Sequence, residues 1–390
     1  MNTVHLDTVY HYRHQPTPTL FLDFEQINET YTRFETLFNG GRVFYAVKAN
    51  SNPAICELVV RRGGGLEIAS LAELELSLRV GATGDQIICS NPIKNTTFLK
   101  RMQAAGVYAI VADSVFEVEK IAQHAPGMRV YFRLAVDNTG SVLPLAGKFG
   151  VSGEQALALA DLARDLGLEP IGVSFHVGSQ CLSPINWVNA ISAAGDVWRQ
   201  AMANGHNFHF LNLGGGYPAG HYHDESIPTL ETIARMAMDA IYENIPLNPN
   251  LMLVLEPGRG LVGESGVLLA TVEGKAIRGD DTWLYLDVGV FNGLMETYEG
   301  FPPVIRLLAD DADERPTAVY TLAGPSCDSA DVIARHMELP ELHIGDTLAF
   351  LDAGAYVTEY GVSFNGFPTP VVVQLNAETP FVQTLAAETA

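Results

Sequence analysis

The sequence predicts an α/β protein, a (β/α)₈ barrel followed by an all-β domain, and three observations lead there. Eight short apolar runs alternate with amphipathic helical stretches between about residues 40 and 260. Polar and charged side chains gather where those runs end. Past residue 265 the texture changes to strand-like runs broken by turns, with few helices.

Taken in order, the opening "TVYHYRHQPTPTLFLD" lacks helical periodicity and is assigned as an extra strand of the second domain. The eight barrel strands are then "VFYAVKA", "GLEIAS", "QIICSN", "YAIVAD", "VYFRLAV", "IGVSFHVG", "HFLNLGGG" and "LMLVLEPG". Between them, "LAELELSLRVGA", "TTFLKRMQAAG", "EQALALADLARDLG" and "TLETIARMAMDAIYENI" place leucine and alanine at helical spacing. A doubly wound sheet is disfavoured because no GxGxxG follows the first strand. "GVLLATVEGKAIRG", "TWLYLDVGVFNG", "TAVYTLAGPSCDS", "DTLAFLDAGAYV" and "PTPVVVQLN" read as the strands of the second domain. The barrel is thus expected over 22–262, and the β domain over 1–21 and 263–390.

Composition excludes several classes of function. With 390 residues, 47% hydrophobic and 17% charged, the chain can bury a full core. A formal charge of −22 argues against nucleic-acid and anionic-membrane surfaces, which reward basic patches. No segment has signal-peptide or membrane-spanning character. Cys56, Cys89, Cys181 and Cys327 form no CxxC pair, so they are read as reduced thiols of a cytoplasmic protein, and no metal site is assigned.

The chemistry is expected at the strand ends, where barrels build their active sites. Lys48, Glu67, Ser70, Asn91, Asp113, Arg133, His176, the glycines 214–216 and Glu256 all fall there. Singly each has a bland reading: a cap for Asp113, a solvated acid for Glu67, a core histidine for His176. Lys48 ends the apolar run "FYAVK", where a buried ammonium is costly unless it is paired or ceases to be an ammonium. "LNLGGGYP", with Gly215 and Gly216, lets backbone N–H groups approach an anion, although a tight turn needs glycines too. "EPGRG" adds Gly258 and the guanidinium of Arg259 for the same anion, and Glu256 needs a cationic partner. A strand-end lysine, a phosphate cradle and an acid suited to a pyridinium nitrogen are the parts that pyridoxal 5'-phosphate requires. Its aldehyde condenses with the lysine, and the acid keeps its ring nitrogen protonated.

The ordered motifs "YAVKAN", "SFHVGSQ", "GGGYP", "EPGR", "GPSCDSAD", "DAGAY" and "FNGF" extend over nearly the whole chain. With them it resembles the fold-type III, alanine racemase-like pyridoxal-phosphate decarboxylases of the ornithine, diaminopimelate and arginine group. The resemblance implies that Lys48 binds the cofactor, His176 stacks on its ring and Glu256 meets the ring nitrogen. It assigns Ser179, Gly216, Arg259 and Tyr356 to the phosphate, and Glu67 and Arg133 to the cofactor's surroundings. It further implies a homodimer whose sites are shared, the partner's "CDSAD" loop bringing Cys327 as proton donor and Asp328 as ligand of the substrate's distal amine. Lys148 and Asp331 match positions that pair across such a dimer.

By that resemblance the substrate is a basic L-amino acid, ornithine with lysine as an alternative, and the product a diamine such as putrescine. Asp328 is short and anionic, where diaminopimelate decarboxylases usually carry Glu. "FNGLMETYEGFPP" places Thr297 where eukaryotic-type enzymes have an aspartate, with Glu296 beside it as a second candidate for the amine. Three alternatives stand beside this reading. One is a decarboxylase of a related or conjugated amino acid, diaminopimelate-like or of secondary metabolism. Another is a racemase, disfavoured because that group has arginine at the ring nitrogen. The third is a non-catalytic regulator like the antizyme inhibitors, which loss of the lysine or the phosphate residues would signal; all are present.

Overall fold

The computed structural model describes residues 4–377 apart from 146, 222, 223 and 225. They form two compact units, one built on residues 29–221 and 226–261, the other on 4–28 and 262–377.

The first strand, β1 (Thr19–Asp23), belongs to the second unit, where it lies antiparallel to β12 (Gly266–Arg278) and parallel to β18 (Val371–Leu375). Its pairing runs through Asp23, so the sheet continues past the boundary expected at residue 21. The opening segment also holds a helix, Val4–Tyr10, where no helical period was read. It has only two turns, with Leu6, Val9 and Tyr10 as its apolar face against Phe21 and Val267. A run that short leaves little periodicity to detect.

The barrel strands are β2 (Gly41–Ala46), β3 (Gly65–Ile68), β4 (Ile87–Cys89), β5 (Ala109–Ala112), β6 (Arg129–Arg133), β8 (Glu169–Ser174), β10 (Phe210–Asn212) and β11 (Met252–Leu255). They are the eight expected. Every neighbouring pair is parallel, and β11 closes on β2 with Leu253 opposite Gly41. Alternate residues fill the interior: Phe44, Ile88, Val111, Tyr131, Ile171, Phe210 and Val254 form one cluster. Tyr131 and Phe210 meet there with ring centroids 4.7 Å apart.

The turns leading into the helices end in residues that satisfy the first free N–H groups. Asn52, Ser70, Asn95, Ser114, Ser152 and Thr229 each accept a bond at a helix start. These caps fix where each loop ends, and so how its strand-end side chains are presented. Between the barrel strands a small ribbon of β7 (Ser141–Leu143) and β9 (Ser179–Cys181) pairs antiparallel.

The sheet of the second unit runs β14 (Ile305–Leu307), β17 (Thr347–Phe350), β12, β13 (Asp281–Leu286), β15 (Thr317–Ala323), β16 (Val332–Pro340), with β1 beside β12 and β18 beside β1. Two of these strands escaped the sequence reading. β14 has three residues, and β16 carries Arg335, His336 and Glu338 on a register broken by bulges, with His336 at φ 55°.

One buried ion pair anchors the loop after β4. Lys94 is wholly buried, and its ammonium donates to the carbonyls of Asn91, Pro92 and Val111 at 3.0, 3.2 and 2.7 Å. It also lies 3.1 Å from Glu117, itself paired with Lys120 at 2.6 Å. Lys94→Met would strand three carbonyls and half-strand a buried carboxylate. We expect it to lower the unfolding free energy by about 3–5 kcal/mol, read from urea midpoints.

Candidate active site

Lys48 does not end its strand. β2 stops at Ala46, and Lys48 is the middle residue of a single 3₁₀ turn, Val47–Ala49. The Asn50 N–H closes that turn on the Val47 carbonyl, and Tyr45 Oη donates to the Asn50 carbonyl at 2.8 Å. Val47 and Ala49 are buried, whereas the Lys48 side chain is 43% exposed. The ammonium therefore avoids most of the desolvation cost that a strand position would impose.

Its partner is Glu67, 2.9 Å away and almost wholly buried in β3. The other Glu67 oxygen accepts the Ser90 N–H at 3.2 Å. Glu67 is thus neither a solvated acid nor a free one: it holds the lysine.

Glu256 follows β11 and is 5% exposed. Its Oε1 accepts from Ser90 Oγ and from Asn212 Nδ2, the latter at 2.6 Å. Among the described residues no donor meets Oε2. Burial and the Glu67 charge push this carboxyl up to about 7, against the pull of Lys48, Ser90 and Asn212.

Asn212 links the acid to the glycine turn, because its Oδ1 accepts the Gly214 N–H at 2.8 Å. Gly214 has φ +65°, and a Cβ there would lie 2.1 Å from the Phe175 carbonyl oxygen. A Cβ on Gly215 would lie 2.7 Å from the Glu256 carbonyl oxygen and 3.2 Å from His176 Nε2. Packing alone demands these glycines, and it also brings backbone, histidine and acid close together. Gly216 follows, and its carbonyl accepts the Cys181 N–H at 2.9 Å, which ties it to the ribbon that Ser179 begins. Gly258 sits against the lysine turn, where an added Cβ would lie 3.0 Å from that of Ala49, and the adjacent Arg259 is buried.

His176 accepts the Gly178 N–H on Nδ1 at 3.1 Å, which leaves the ring proton on Nε2. Burial, then the charges of Arg133 and Lys48, hold its pKa well below the ordinary value. The ring is therefore neutral. Arg133 ends β6, with its guanidinium 5.7 Å from the Phe149 ring centre.

Three strand-end residues have structural work instead. Ser70 caps the helix Leu71–Arg79, Asn91 Nδ2 donates to the Ala69 carbonyl at 3.0 Å, and Asp113 accepts the Gly150 N–H at 2.9 Å. Conversely, Ser90, Asn212 and Tyr131 were not singled out. Tyr131 Oη is 2.6 Å from Ser90 Oγ and donates to the Cys89 carbonyl at 3.1 Å. Ser90 and Asn212 stand at strand ends in "QIICSN" and "HFLNLG", so position alone would have flagged them. Tyr131, inside an apolar run, carried no such signal.

The remaining candidates lie in the second unit. Cys327 and Asp328 are exposed; Cys327 Sγ is 3.4 Å from Asn365 Oδ1, and Asp328 accepts the Ala330 N–H at 2.9 Å. Asp331 is only 3% exposed, and its two oxygens accept the N–H groups of Val290 and Ser326 at 2.7 and 3.0 Å. These two bonds shape that loop. Tyr356 takes a left-handed conformation, φ 65°, and stacks on Tyr360. Glu296 is half-buried in the short helix Met295–Tyr298.

Comparison with known proteins bears on this arrangement. Residues 24–263 match the family described as pyridoxal-dependent decarboxylase, pyridoxal binding domain. A lysine/ornithine decarboxylase of Selenomonas ruminantium is 34% identical, with 90% of this chain and 88% of that protein covered. An ornithine decarboxylase of Schizosaccharomyces pombe is also 34% identical, over 86% and 78%. The crystal structure of the Paramecium bursaria Chlorella virus arginine decarboxylase superposes with a TM-score of 0.88 at 29% identity, covering 96% of this chain and all of that one.

The raised Glu256 pKa makes a prediction for the protein free of small molecules. A carboxyl that binds its proton more tightly when folded stabilises the fold below the unfolded value of about 4.5 and loses that contribution as pH rises through about 7. Glu256→Gln should therefore match the parent near pH 4.5 and exceed its unfolding free energy by roughly 2–3 kcal/mol above pH 7. Urea unfolding across that range checks it. Parallel curves would mean that the acid ionises normally.

Proposed function

The chain belongs to the pyridoxal-dependent decarboxylases, and from that premise we propose that it converts ornithine, with lysine as the alternative, to the corresponding diamine. It is an enzyme that uses pyridoxal 5'-phosphate to decarboxylate a basic amino acid. The observation that carries the reading is the joined set Lys48–Glu67–Ser90–Glu256–Asn212–Gly214 at the ends of five barrel strands.

These residues fit the cofactor. Glu256 offers an oxygen without a protein donor among the described residues, in surroundings that penalise its charge, which suits a protonated ring nitrogen. The glycine turn, Gly214 to Gly216, bears no side chains that would keep an anion from its backbone. Lys48, Glu67, Arg133, His176, Ser179, Gly215, Gly216, Glu256, Gly258, Arg259 and Tyr356 are the residues we assign to it. When bound, it supplies an electron sink for the bond that breaks.

The chain's own groups then have defined tasks. Lys48 contributes the amine, and Glu67 keeps it at the strand end. A neutral His176 can lie against an aromatic ring without the repulsion that an imidazolium would meet from Lys48 and Arg133. Arg133, assigned to the cofactor's surroundings, adds positive charge at the end of β6. Cys327 is assigned the proton returned to the substrate carbon, and Asp328 the distal ammonium, with Glu296 as a second contact. Exposure of Cys327 and Asp328 supports their action in a homodimer with shared sites.

Among the described residues no helix is long and apolar enough to cross a membrane. The net charge of −22 and the free thiols support a cytoplasmic enzyme acting on a small molecule.

Two measurements test the reading. Lys48→Ala and Cys327→Ala chains should each be inactive alone, and mixing them should restore part of the turnover, since a heterodimer regenerates one intact site. No recovery after demonstrated subunit exchange would place the site within one chain. Separately, carbon dioxide release should be fastest with L-ornithine or L-lysine in a panel that includes arginine and diaminopimelate. Asp328→Ala should cut kcat/KM on the preferred substrate by roughly tenfold to a hundredfold, the worth of a charge-assisted bond, and far less on an amino acid lacking the distal amine. Equal losses on both would show that Asp328 shapes its loop without reading the substrate.

A further inference from the structure

Ser90 stands at a junction that the reaction described above does not use. Its Oγ touches the Oε1 of Glu256 on one side and lies 2.6 Å from Tyr131 Oη on the other. Its backbone N–H donates to Glu67 Oε1 at 3.2 Å, so one residue contacts both acids of the barrel mouth. The hydroxyl has a single proton. Glu256 Oε1 already accepts from Asn212 and has no proton to give while ionised, so that contact makes Ser90 the donor. Ser90 Oγ is then left as acceptor toward Tyr131, whose one proton is shared between Ser90 Oγ at 2.6 Å and the Cys89 carbonyl at 3.1 Å.

The position is rigid. The following residue, Asn91, is tied through its side chain to the Ala69 carbonyl and through its own carbonyl to Lys94. Tyr131 is fully buried in the barrel core against Phe210. A hydroxyl fixed from both sides lowers the free energy of one charge state of its acceptor and fixes its orientation.

We propose that Ser90, backed by Tyr131, is a positioning residue that keeps the Glu256 carboxylate ionised and turned so that Oε2 stays open to the ring nitrogen of the cofactor. The inference rests on the proposed reading only in its last clause. The groups that face Glu256 and compete over its charge are Glu67 from β3, Lys48 from the turn after β2, Arg133 and Tyr131 from β6, Asn212 from β10, and Tyr217 beyond the glycine turn. Glu67 opposes ionisation; Lys48, Ser90 and Asn212 favour it. Ser90 is the hydroxyl among these last three, and its removal deletes no charge.

The test has two readouts. In cofactor-free full-length protein, the Glu256 titration is followed by the infrared band of its protonated carboxyl, assigned by its loss in Glu256→Gln. Ser90→Ala should move the midpoint up by about 1–2 pH units, Tyr131→Phe should move it in the same direction by less, and Ser90→Thr should restore it. In the holoenzyme carrying ¹⁵N in the cofactor ring, Ser90→Ala should lower the pH at which the ring nitrogen loses its proton. Carboxyl midpoints in Ser90→Ala and Tyr131→Phe within about 0.3 units of the parent would overturn the proposal; so would failure of Ser90→Thr to restore the Ser90→Ala shift. If Ser90→Ala does not fold, Tyr131→Phe and Ser90→Thr decide it by the same criterion. A ring nitrogen indifferent to Glu256→Gln would instead overturn the assignment of Glu256, and would leave the carboxyl result standing.

Discussion

The constraint on which this site depends is a carboxylate kept out of water without a cation of its own. Glu256 sits at a strand end where burial pushes it toward the neutral form, and Lys48, a cation that favours its charge, is already committed to Glu67. Two neutral donors, Ser90 and Asn212, hold one of its oxygens. The rest of the barrel mouth is arranged around that deficit. Asn212 passes the contact to the glycine turn, and Ser90 passes it to Glu67 and so to the lysine. A positive ring nitrogen arriving at the open oxygen meets a demand already present in the protein.

The fold supplies this geometry by ordinary means. Eight short strands close the barrel, and the helices after six of them are started by a side-chain cap, so those loops have little freedom in where they place their last residues. The glycine turn shows how structural and functional demands coincide. Gly214 is required by a positive φ and by the Phe175 carbonyl, and Gly215 by the closeness of strand-end backbones. The same glycines carry no side chain that would keep a phosphate from backbone N–H groups.

Much of this was legible in the sequence, because the barrel's signal is repetitive. Each strand is a continuous apolar run, and a polar residue at its end stands out by contrast. What remained hidden follows from the same physics. Lys48 read as a strand residue because a 3₁₀ turn between buried Val47 and Ala49 has the same apolar spelling as a strand. Ser70, Asn91 and Asp113 sit where functional residues sit, but capping and loop ties recruit the same polar types. Tyr131 contributes through a hydroxyl at the end of a core side chain, and nothing in an apolar run distinguishes a tyrosine that reaches a polar network from one that only packs. β16 was missed because its alternation is broken by bulges and charged residues.

The neutral state of His176 completes the electrostatic argument. Lys48 and Arg133 carry two positive charges at the mouth, and Glu67 and Glu256 two negative ones when Glu256 is ionised. An imidazolium would tip that balance in a buried place, and the Gly178 N–H on Nδ1 blocks the site where a second proton would bind. The histidine is thereby kept as a flat, uncharged surface. Glu256 has its ionisation moved close to neutrality by burial and by Glu67, so its charge answers to a cation that meets its second oxygen. Such a cation shifts a carboxyl poised in this way toward its charged form.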